Sequence, residues 1–330
     1  MQHHLAGGLP AVGAVIVTCD RPRQLERLLG ALDGQTIRPA FAIVVDNGTC
    51  PRTPGLCRSH GAVHIRSAVN LGGAGGFSLG MLTALARGAE YVWLWDDDGW
   101  PGEDACLERL LRFQRGAGLT IASPLVLDEE DPGHCAFAFR MGGRSLRTRR
   151  EVEAQAAAQG FVPDAVHLFN GALLPAEALF RHGVPDLRLF VRGDEVDFML
   201  RVRRGGGRIA TLLSATARHP SGQGETHHVL GPHLAALYPP DATKRAMLFR
   251  NRGFLAREHR RWHVLAVEAV LYAVFFLGRR RPDWRGLGGW AAATWAGLRG
   301  RLGRPGPVPA PAPPRPPLIQ QPSVVESHSA

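Results

Sequence analysis

The chain has 330 residues, 45 % hydrophobic and 21 % charged, an ordinary globular composition with ample length to bury a core. No apolar run reaches the roughly 18 uncharged residues of a membrane-spanning helix, and the N-terminus lacks the basic start of a secretory signal. The net charge of +10 is unevenly placed: residues 1–243 carry 24 basic and 25 acidic side chains, whereas residues 244–304 carry 14 and 3.

Residues 11–17 (AVGAVIV) form a continuous β-branched run, the pattern of a buried parallel strand. Pro22 opens a helix with Leu25, Leu28, Leu29 and Leu32 at helical spacing. A strand over Phe41–Val45 ends at the turn signal Asp46-Asn47-Gly48, and a loop holding Cys50 and Cys57 leads to a strand over Val63–Arg66. The glycine cluster 72–76 precedes a helix over Phe77–Arg87, and the strand Tyr91–Trp95 runs into Asp96-Asp97-Asp98. This alternation predicts a doubly wound α/β sheet. Further on, a helix is expected over 103–116 and a strand over 121–127. Residues 128–165 read as an excursion with one short helix, and 169–175 as a strand entering a turn with a helix from Ala176. A helix runs from Asp194 to Arg204 and glycines 205–207 stop it; a strand over 208–213 follows, with His219-Pro220 in the loop beyond. Five cysteines without a CxxC pair argue against a disulfide framework or structural zinc and fit a reducing cytoplasm. The Pro-rich residues 305–330 are expected to be disordered.

In a doubly wound sheet, ligands bind beyond the carboxyl ends of the strands. Thr18 and Asp20, Asp46, and the Asp96–Asp98 triplet all fall at such ends. Asp46 alone is equally a turn former. Three adjacent carboxylates after the apolar run YVWLW repel one another and lose solvation. A hard divalent cation, Mg²⁺ or Mn²⁺, relieves that repulsion; an exposed acidic turn is the alternative. Gly72 to Gly76 let backbone approach a ligand, or simply make a tight turn into a helix; they form neither a dinucleotide fingerprint nor a P-loop.

Together the blocks VIVTCDRP (15–22), VVDNGT (44–49), NLGGAGGF (70–77), WLWDDDGWP (93–101), FNGALLP (169–175) and RGDEVDFMLR (192–201) resemble an inverting family 2 glycosyltransferase of GT-A fold. With PDLRLFVRGDEVD and FRNRG (249–253), they are similar more narrowly to the galactofuranosyltransferases that begin the actinobacterial cell-wall galactan. The resemblance implies a Rossmann-like, mainly parallel central sheet flanked by helices, with a C-terminal helical segment. It implies that Thr18, Asp20 and Asp46 hold uridine, that Asn70, Gly72 and Gly73 line the donor pocket, and that Asp97 contacts sugar or ribose. Asp96 and Asp98, completed by His219, would bind Mn²⁺ or Mg²⁺ on the diphosphate; read alone, His219 is a loop histidine. Glu195 takes the general-base position and Asp194 binds the acceptor, although many relatives carry Asp where Glu195 stands; helix N-capping by Asp194 fits both roles. Trp100 and Asn170 are further candidates for contacting sugar, and Trp100 equally suits the core.

The implied donor is UDP-galactofuranose, and the acceptor is the rhamnose of a polyprenyl-diphosphate-linked GlcNAc–rhamnose primer. A rhamnosyltransferase using dTDP-rhamnose is the alternative of the same class. The expected organisation is a catalytic domain over 1–243, a basic helical segment over 244–304 and the tail. Residues 262–277 make a helix of about 24 Å, short of the roughly 30 Å hydrocarbon core of a bilayer. Flanked by Arg257, Arg260, Arg261 and Arg279–Arg281 and followed by three tryptophans, it suits a helix lying in the cytoplasmic membrane surface. A buried helix or a homo-oligomer contact is the alternative. Nucleic-acid binding is suggested by the basic segment alone and leaves the acidic triplet unexplained.

Overall fold

The computed structural model describes residues 9–141, 144–230, 234–278 and 282–303. Strand β1 (Val12–Thr18) is buried along its whole length, as a β-branched run with both faces covered must be. Helix α1 (Pro22–Asp33) buries its four spaced leucines. β2 (Phe41–Asp46), α2 (Thr53–Ser59), β3 (Val63–Arg66), α3 (Gly72–Ala86) and β4 (Tyr91–Asp96) follow. β1 pairs in parallel with both β2 and β4, and β2 with β3. That register sets Thr18 opposite Asp46 and Val17 opposite Asp96, so the polar strand ends emerge at one edge.

The second half adds β5 (Trp100–Pro101), α4 (Cys106–Ala117), β6 (Ile121–Asp128), β7 (His134–Met141), β8 (Arg144–Thr148) and α5 (Arg149–Ala156). Then come β9 (Phe161–Pro163), β10 (Asn170–Pro175), α6 (Ala176–His182), α7 (Asp194–Arg204) and β11 (Ile209–His219). Among the described residues the main sheet runs β3-β2-β1-β4-β10-β6-β11-β5, with β7, β8 and β9 attached to its flank. β10 runs antiparallel between β4 and β6, and β6 and β11 are parallel again. One face is covered by α1 and α4, through Leu25, Leu28, Trp93, Trp95, Leu107 and Leu110. The other is covered by α3, α6 and α7, through Val15, Phe77, Met81, Leu179 and Phe198.

Four details depart from the sequence expectation. The loop holding Cys57 contains α2, which buries Cys57. The helix expected from Phe77 begins at Gly72, with the glycine cluster as its first turns. Glycine weakens a helix by roughly 1 kcal/mol per residue relative to alanine. Here close packing demands it: a Cβ on Gly76 would lie 2.7 Å from Val17, and one on Gly80 would collide with Val15. The excursion after residue 128 holds the β7–β8 hairpin as well as its helix. β11 continues to His219, past a bulge between Leu212 and Thr216, so His219 ends a strand instead of lying in a loop. The inward residues of that extension are the small Ala215 and Ala217, which give a weak apolar signal.

The chain then forms the hairpin β12 (Thr226–Leu230) and β13 (Leu234–Leu237), followed by α8 (Ala242–Glu258), α9 (Trp262–Leu277) and α10 (Trp284–Leu298). α8 and α10 cross at backbone contact, since a Cβ on Gly253 would strike the Thr294 carbonyl and one on Gly297 the Arg250 carbonyl. α9 packs Leu271, Tyr272, Phe275 and Phe276 against Phe249, Tyr238 and Trp290. Its other flank leaves Trp262, Val267 and Val270 more than half exposed. Among the described residues no helix is long and apolar enough to cross a membrane. Arg279–Arg281 and the Pro-rich tail, both singled out in the sequence, lie outside the described residues.

Candidate active site

The acidic triplet occupies the turn between β4 and β5, beside the end of β1. Asp97 points inward: the Thr18 hydroxyl donates to its Oδ2 at 2.7 Å and Arg21 Nη1 to its Oδ1 at 3.1 Å. The same Arg21 nitrogen donates to Asp98 Oδ2 at 2.6 Å. His219 reaches Asp98 from the end of β11, with Nε2 3.1 Å from Oδ1. Its Nδ1 lies 2.6 Å from the Pro220 carbonyl, an acceptor only, so Nδ1 carries a proton and Nε2 faces the carboxylate.

The three acids differ in their electrostatics. Burial, aided by Asp98 and Asp97, pushes Asp96 well above the usual carboxylate range. Burial also raises Asp97, against the Thr18 hydrogen bond and the Arg21 charge. For Asp98 burial works the same way, but His219 and Arg21 outweigh it and bring the group to about 2.

A second acidic group stands at the N-terminus of α7, whose first turn holds Asp194, Glu195 and Asp197. Its N-cap is Gly193 at φ 106°, so the expected capping by the Asp194 side chain is not observed. Asp194 is buried, with Oδ2 unpartnered, and Gly73 at the start of α3 lies against that oxygen. Burial and then Glu195 hold Asp194 toward the neutral acid. Glu195 is half-buried and accepts the Gly193 N–H at 3.0 Å. Asp197 is fully engaged by Arg201 and His259, each at 2.8 Å. Glu195 contributes to the rise of Asp96, and Asp96 to that of Asp194, so each acidic group feels the other's charge.

Other expected residues make local contacts. Asp46 is buried, accepting from Gly48 N–H at 2.9 Å and meeting His64 Nε2 at 3.1 Å. Asp20, at φ 57°, accepts the Thr49 and Cys50 N–H groups at 2.7 and 2.8 Å and thereby fixes the β2–α2 loop. Asn70 accepts the Gly72 N–H at 2.8 Å, and Gly72, at φ 68°, leaves no room for a Cβ beside the Phe190 carbonyl. Trp100 is half-buried with the Arg27 guanidinium stacked 3.3 Å above its ring, so one face is taken. Asn170 is buried at the start of β10 with Oδ1 unpartnered, facing Gly99. Buried orphan polar atoms are costly, and Asp194 and Asn170 carry one each.

Several residues escaped the sequence reading. Arg21 lay inside a noted block, and a cation beside two carboxylates was its signal. His64 gave none, because its partner Asp46 is reached only through β2–β3 pairing. A cavity of about 240 Å³ between α7, α8 and α9 has Glu195 in its wall. Leu248, Leu255, Val264 and Leu265 make its apolar walls; Arg192, Arg252, Arg261 and Glu268 also line it, with Arg252 paired to Glu268 at 2.8 Å and Arg192 to Glu225 at 2.6 Å. The aspartate triplet does not line it.

His167 has its ring centroid 4.9 Å from that of Phe137, whose ring in turn lies tilted against His219 at 4.8 Å. Burial, and secondarily His219, lowers His167 to about 4. Between that value and its unfolded value the unfolded chain binds more protons, so stability falls as pH drops. From pH 7 to pH 5 this costs roughly 2 kcal/mol. Thermal unfolding of His167→Phe should therefore lose distinctly less midpoint over that interval than the parent; equal losses would contradict the assignment.

Comparison with known proteins places the arrangement. Residues 14–134 match the family described as Glycosyl transferase family 2. Galactofuranosyltransferase GlfT1 of Mycobacterium tuberculosis H37Rv is 41 % identical over 300 residues, covering 90 % of this chain and 98 % of the relative. The protein of the same name from Mycolicibacterium smegmatis is 39 % identical over 297 residues, covering 89 % and 98 %. Among solved structures, GalNAc-T7 with UDP, GalNAc and Mn²⁺ superposes with a TM-score of 0.53 at 13 % identity, over 73 % of this chain and 48 % of that one. TarS 1–349 of S. aureus gives 0.50 at 12 %, over 88 % and 73 %. These two share the fold, a GT-A α/β architecture. With near-complete coverage of relatives at about 40 % identity, this chain belongs to glycosyl transferase family 2, as a glycosyltransferase grouped with the mycobacterial galactofuranosyltransferases.

Proposed function

We propose that the enzyme transfers galactofuranose, with inversion, from UDP-galactofuranose to the rhamnose of a polyprenyl-diphosphate-linked GlcNAc–rhamnose acceptor. The donor sugar is supported by the galactofuranosyltransferases to which the chain is 39–41 % identical. What supports the reaction type is the mutual electrostatic influence of two acidic groups, the Asp96–Asp98 turn and the Asp194-Glu195 pair, each of which feels the other's charge.

The residues at the turn fit a divalent cation of the Mn²⁺ or Mg²⁺ kind. Among the described residues no three His, Cys, Asp or Glu side chains close into a cage. An open site with few protein ligands is what such ions use when substrate phosphates and water complete the shell. Asp96 and Asp98 supply hard oxygens, and His219 Nε2 faces Asp98 with the other ring nitrogen already fixed. Bound there, the cation would offset the charge that develops on the departing UDP. Thr18 and Arg21 hold Asp97 at the donor's sugar or ribose. Asp20 and Asp46 keep the uridine-side loops in place through their backbone partners, and Asn70, Gly72 and Gly73 form the donor wall.

Glu195 takes the proton from the attacking acceptor hydroxyl. Its exposure to the cavity supports that role, whereas Asp194, held toward the neutral acid, suits donating a hydrogen bond to the acceptor. The apolar wall of the cavity, with Arg261 at its edge, suits an acceptor with a lipid-linked, anionic end. Trp262, Val267, Val270, Trp284 and Trp295 stand exposed on α9 and α10, within the basic segment. They support peripheral binding at the cytoplasmic face of an anionic membrane over nucleic-acid binding.

The test offers UDP-galactofuranose and dTDP-rhamnose in turn to the enzyme with a synthetic rhamnoside acceptor. Turnover is expected with the first, to be lost on chelation and restored by Mn²⁺ or Mg²⁺. Turnover with dTDP-rhamnose alone would overturn the donor, and turnover indifferent to chelation would overturn the cation.

A further inference from the structure

The chain between the short 3₁₀ turn Leu187–Leu189 and α7 is contorted. Phe190, Arg192 and Gly193 adopt φ of 64°, 67° and 106°, and two of these three carry side chains that disfavour the left-handed region. Such a conformation persists only where its surroundings over-determine it. Here those surroundings come from α8, about sixty residues later. Asn251, fully buried, directs its Nδ2 at three carbonyls of the turn, Leu189 at 2.9 Å, Val191 at 3.0 Å and Arg192 at 2.6 Å. The orientation of the amide is fixed because Arg250 Nε donates to its Oδ1 at 3.0 Å. Arg250 Nη2 adds contacts to the Arg188 and Leu189 carbonyls at 3.2 and 3.3 Å.

The turn so held makes two further contacts. The Phe190 carbonyl accepts the Ala74 N–H at 3.1 Å, at the start of the glycine-rich α3, and the Gly193 N–H donates to Glu195 Oε2 at 3.0 Å. α8 is itself immobilised by its backbone contact with α10 at Gly253 and Gly297. An unbroken set of hydrogen bonds therefore runs from α8 through the turn to the carboxylate of Glu195.

We infer that Asn251, oriented by Arg250, is a positioning residue for Glu195, and that the C-terminal helices are thereby part of the catalytic apparatus. The inference rests on the reading of Glu195 as the base. Without Asn251 the three carbonyls lose a common donor, the turn relaxes and Glu195 moves away from the acceptor hydroxyl. Among the described residues no hydrogen bond joins Asp96, Asp97 or Asp98 to α8.

The experiment measures kcat, the KM for the sugar nucleotide, UDP affinity by calorimetry and the unfolding midpoint for Asn251→Ala and Arg250→Lys. Asn251→Ala is expected to lower kcat about 10²-fold, since a displacement of about 1 Å has effects of that size. Donor KM and UDP affinity, which the turn touches only through the Phe190–Ala74 contact, should change far less than kcat. Arg250→Lys, which keeps the charge but loses the Nε donor, should lower kcat in the same manner and by less, and it carries the test if Asn251→Ala does not fold. Parallel loss of kcat and UDP affinity, or full kcat with only a lowered midpoint, would overturn the proposal and leave a purely structural role. Glu195→Gln is run alongside: full turnover there would overturn the base assignment, whereas its inactivity beside a fully active Asn251→Ala would overturn the positioning role alone.

Discussion

Glu195→Gln should lower glycosyl transfer by about 10³-fold, the middle of the range for removing a general base, while UDP affinity stays within twofold. The substitution keeps the size of the side chain and removes only its ability to take a proton. Glu195 stands at the cavity wall with one carboxylate oxygen on the Gly193 N–H, which leaves the other to meet an incoming hydroxyl. Its neighbour cannot substitute, because Asp194 is buried and held toward the neutral form. Asp197 cannot either, being bound by Arg201 and His259. The measurement is a radiolabel transfer assay paired with UDP calorimetry. A variant that transfers at more than a tenth of the parent rate would remove Glu195 from the role of base.

The second large effect lies at the other acidic group. Asp98→Ala should abolish Mn²⁺-dependent UDP binding, a loss of at least about 10²-fold, because it removes a hard oxygen ligand and frees His219 from its partner. Asp98 is held ionised even without the ion: burial opposes its charge, but His219 and Arg21 bring it to about 2. Its folded value lies below the unfolded one, so its contribution to folding is present above about pH 4 and fades as pH falls toward 2. Activity near neutrality therefore meets a fully charged Asp98. Calorimetry with UDP, with and without Mn²⁺, separates the two roles. If Asp98→Ala binds UDP and Mn²⁺ as the parent does, the ion is held elsewhere. If Glu195→Gln loses UDP binding equally, the division of labour between the two sides is wrong.

How much of this was legible in the sequence depended on how local the cause was. The strand ends at Thr18, Asp46 and Asp96 could be read because each closes an apolar run, and parallel pairing then brings them to one edge. The start of α3 could not: five glycines between 72 and 80 oppose a helix by propensity, and the reason they are tolerated is the contact with Val15 and Val17 of a distant strand. His219 was read as a loop residue because the strand that carries it packs inward through alanines. Asp20 and Asp46 were read as donor-binding groups, and in the structure their carboxylates accept from Thr49, Cys50 and Gly48 or meet His64, partners set by loop geometry. Asn251 was visible only as a letter in FRNRG, since its three carbonyl partners come from residues 189–192. The α7 pair was the best placed of all, because a Gly-Asp-Glu start to an amphipathic helix fixes where its carboxylates stand.

One measurement tests the central claim most directly: a crystal structure with UDP and Mn²⁺, with the ion located by its anomalous scattering. The ion is expected beside Asp96, Asp98 and His219 with the diphosphate on it, and the Glu195 carboxylate on the opposite wall of the same cleft. Mn²⁺ and UDP bound away from the β4–β5 turn, or Glu195 on another face of the molecule, would contradict the account.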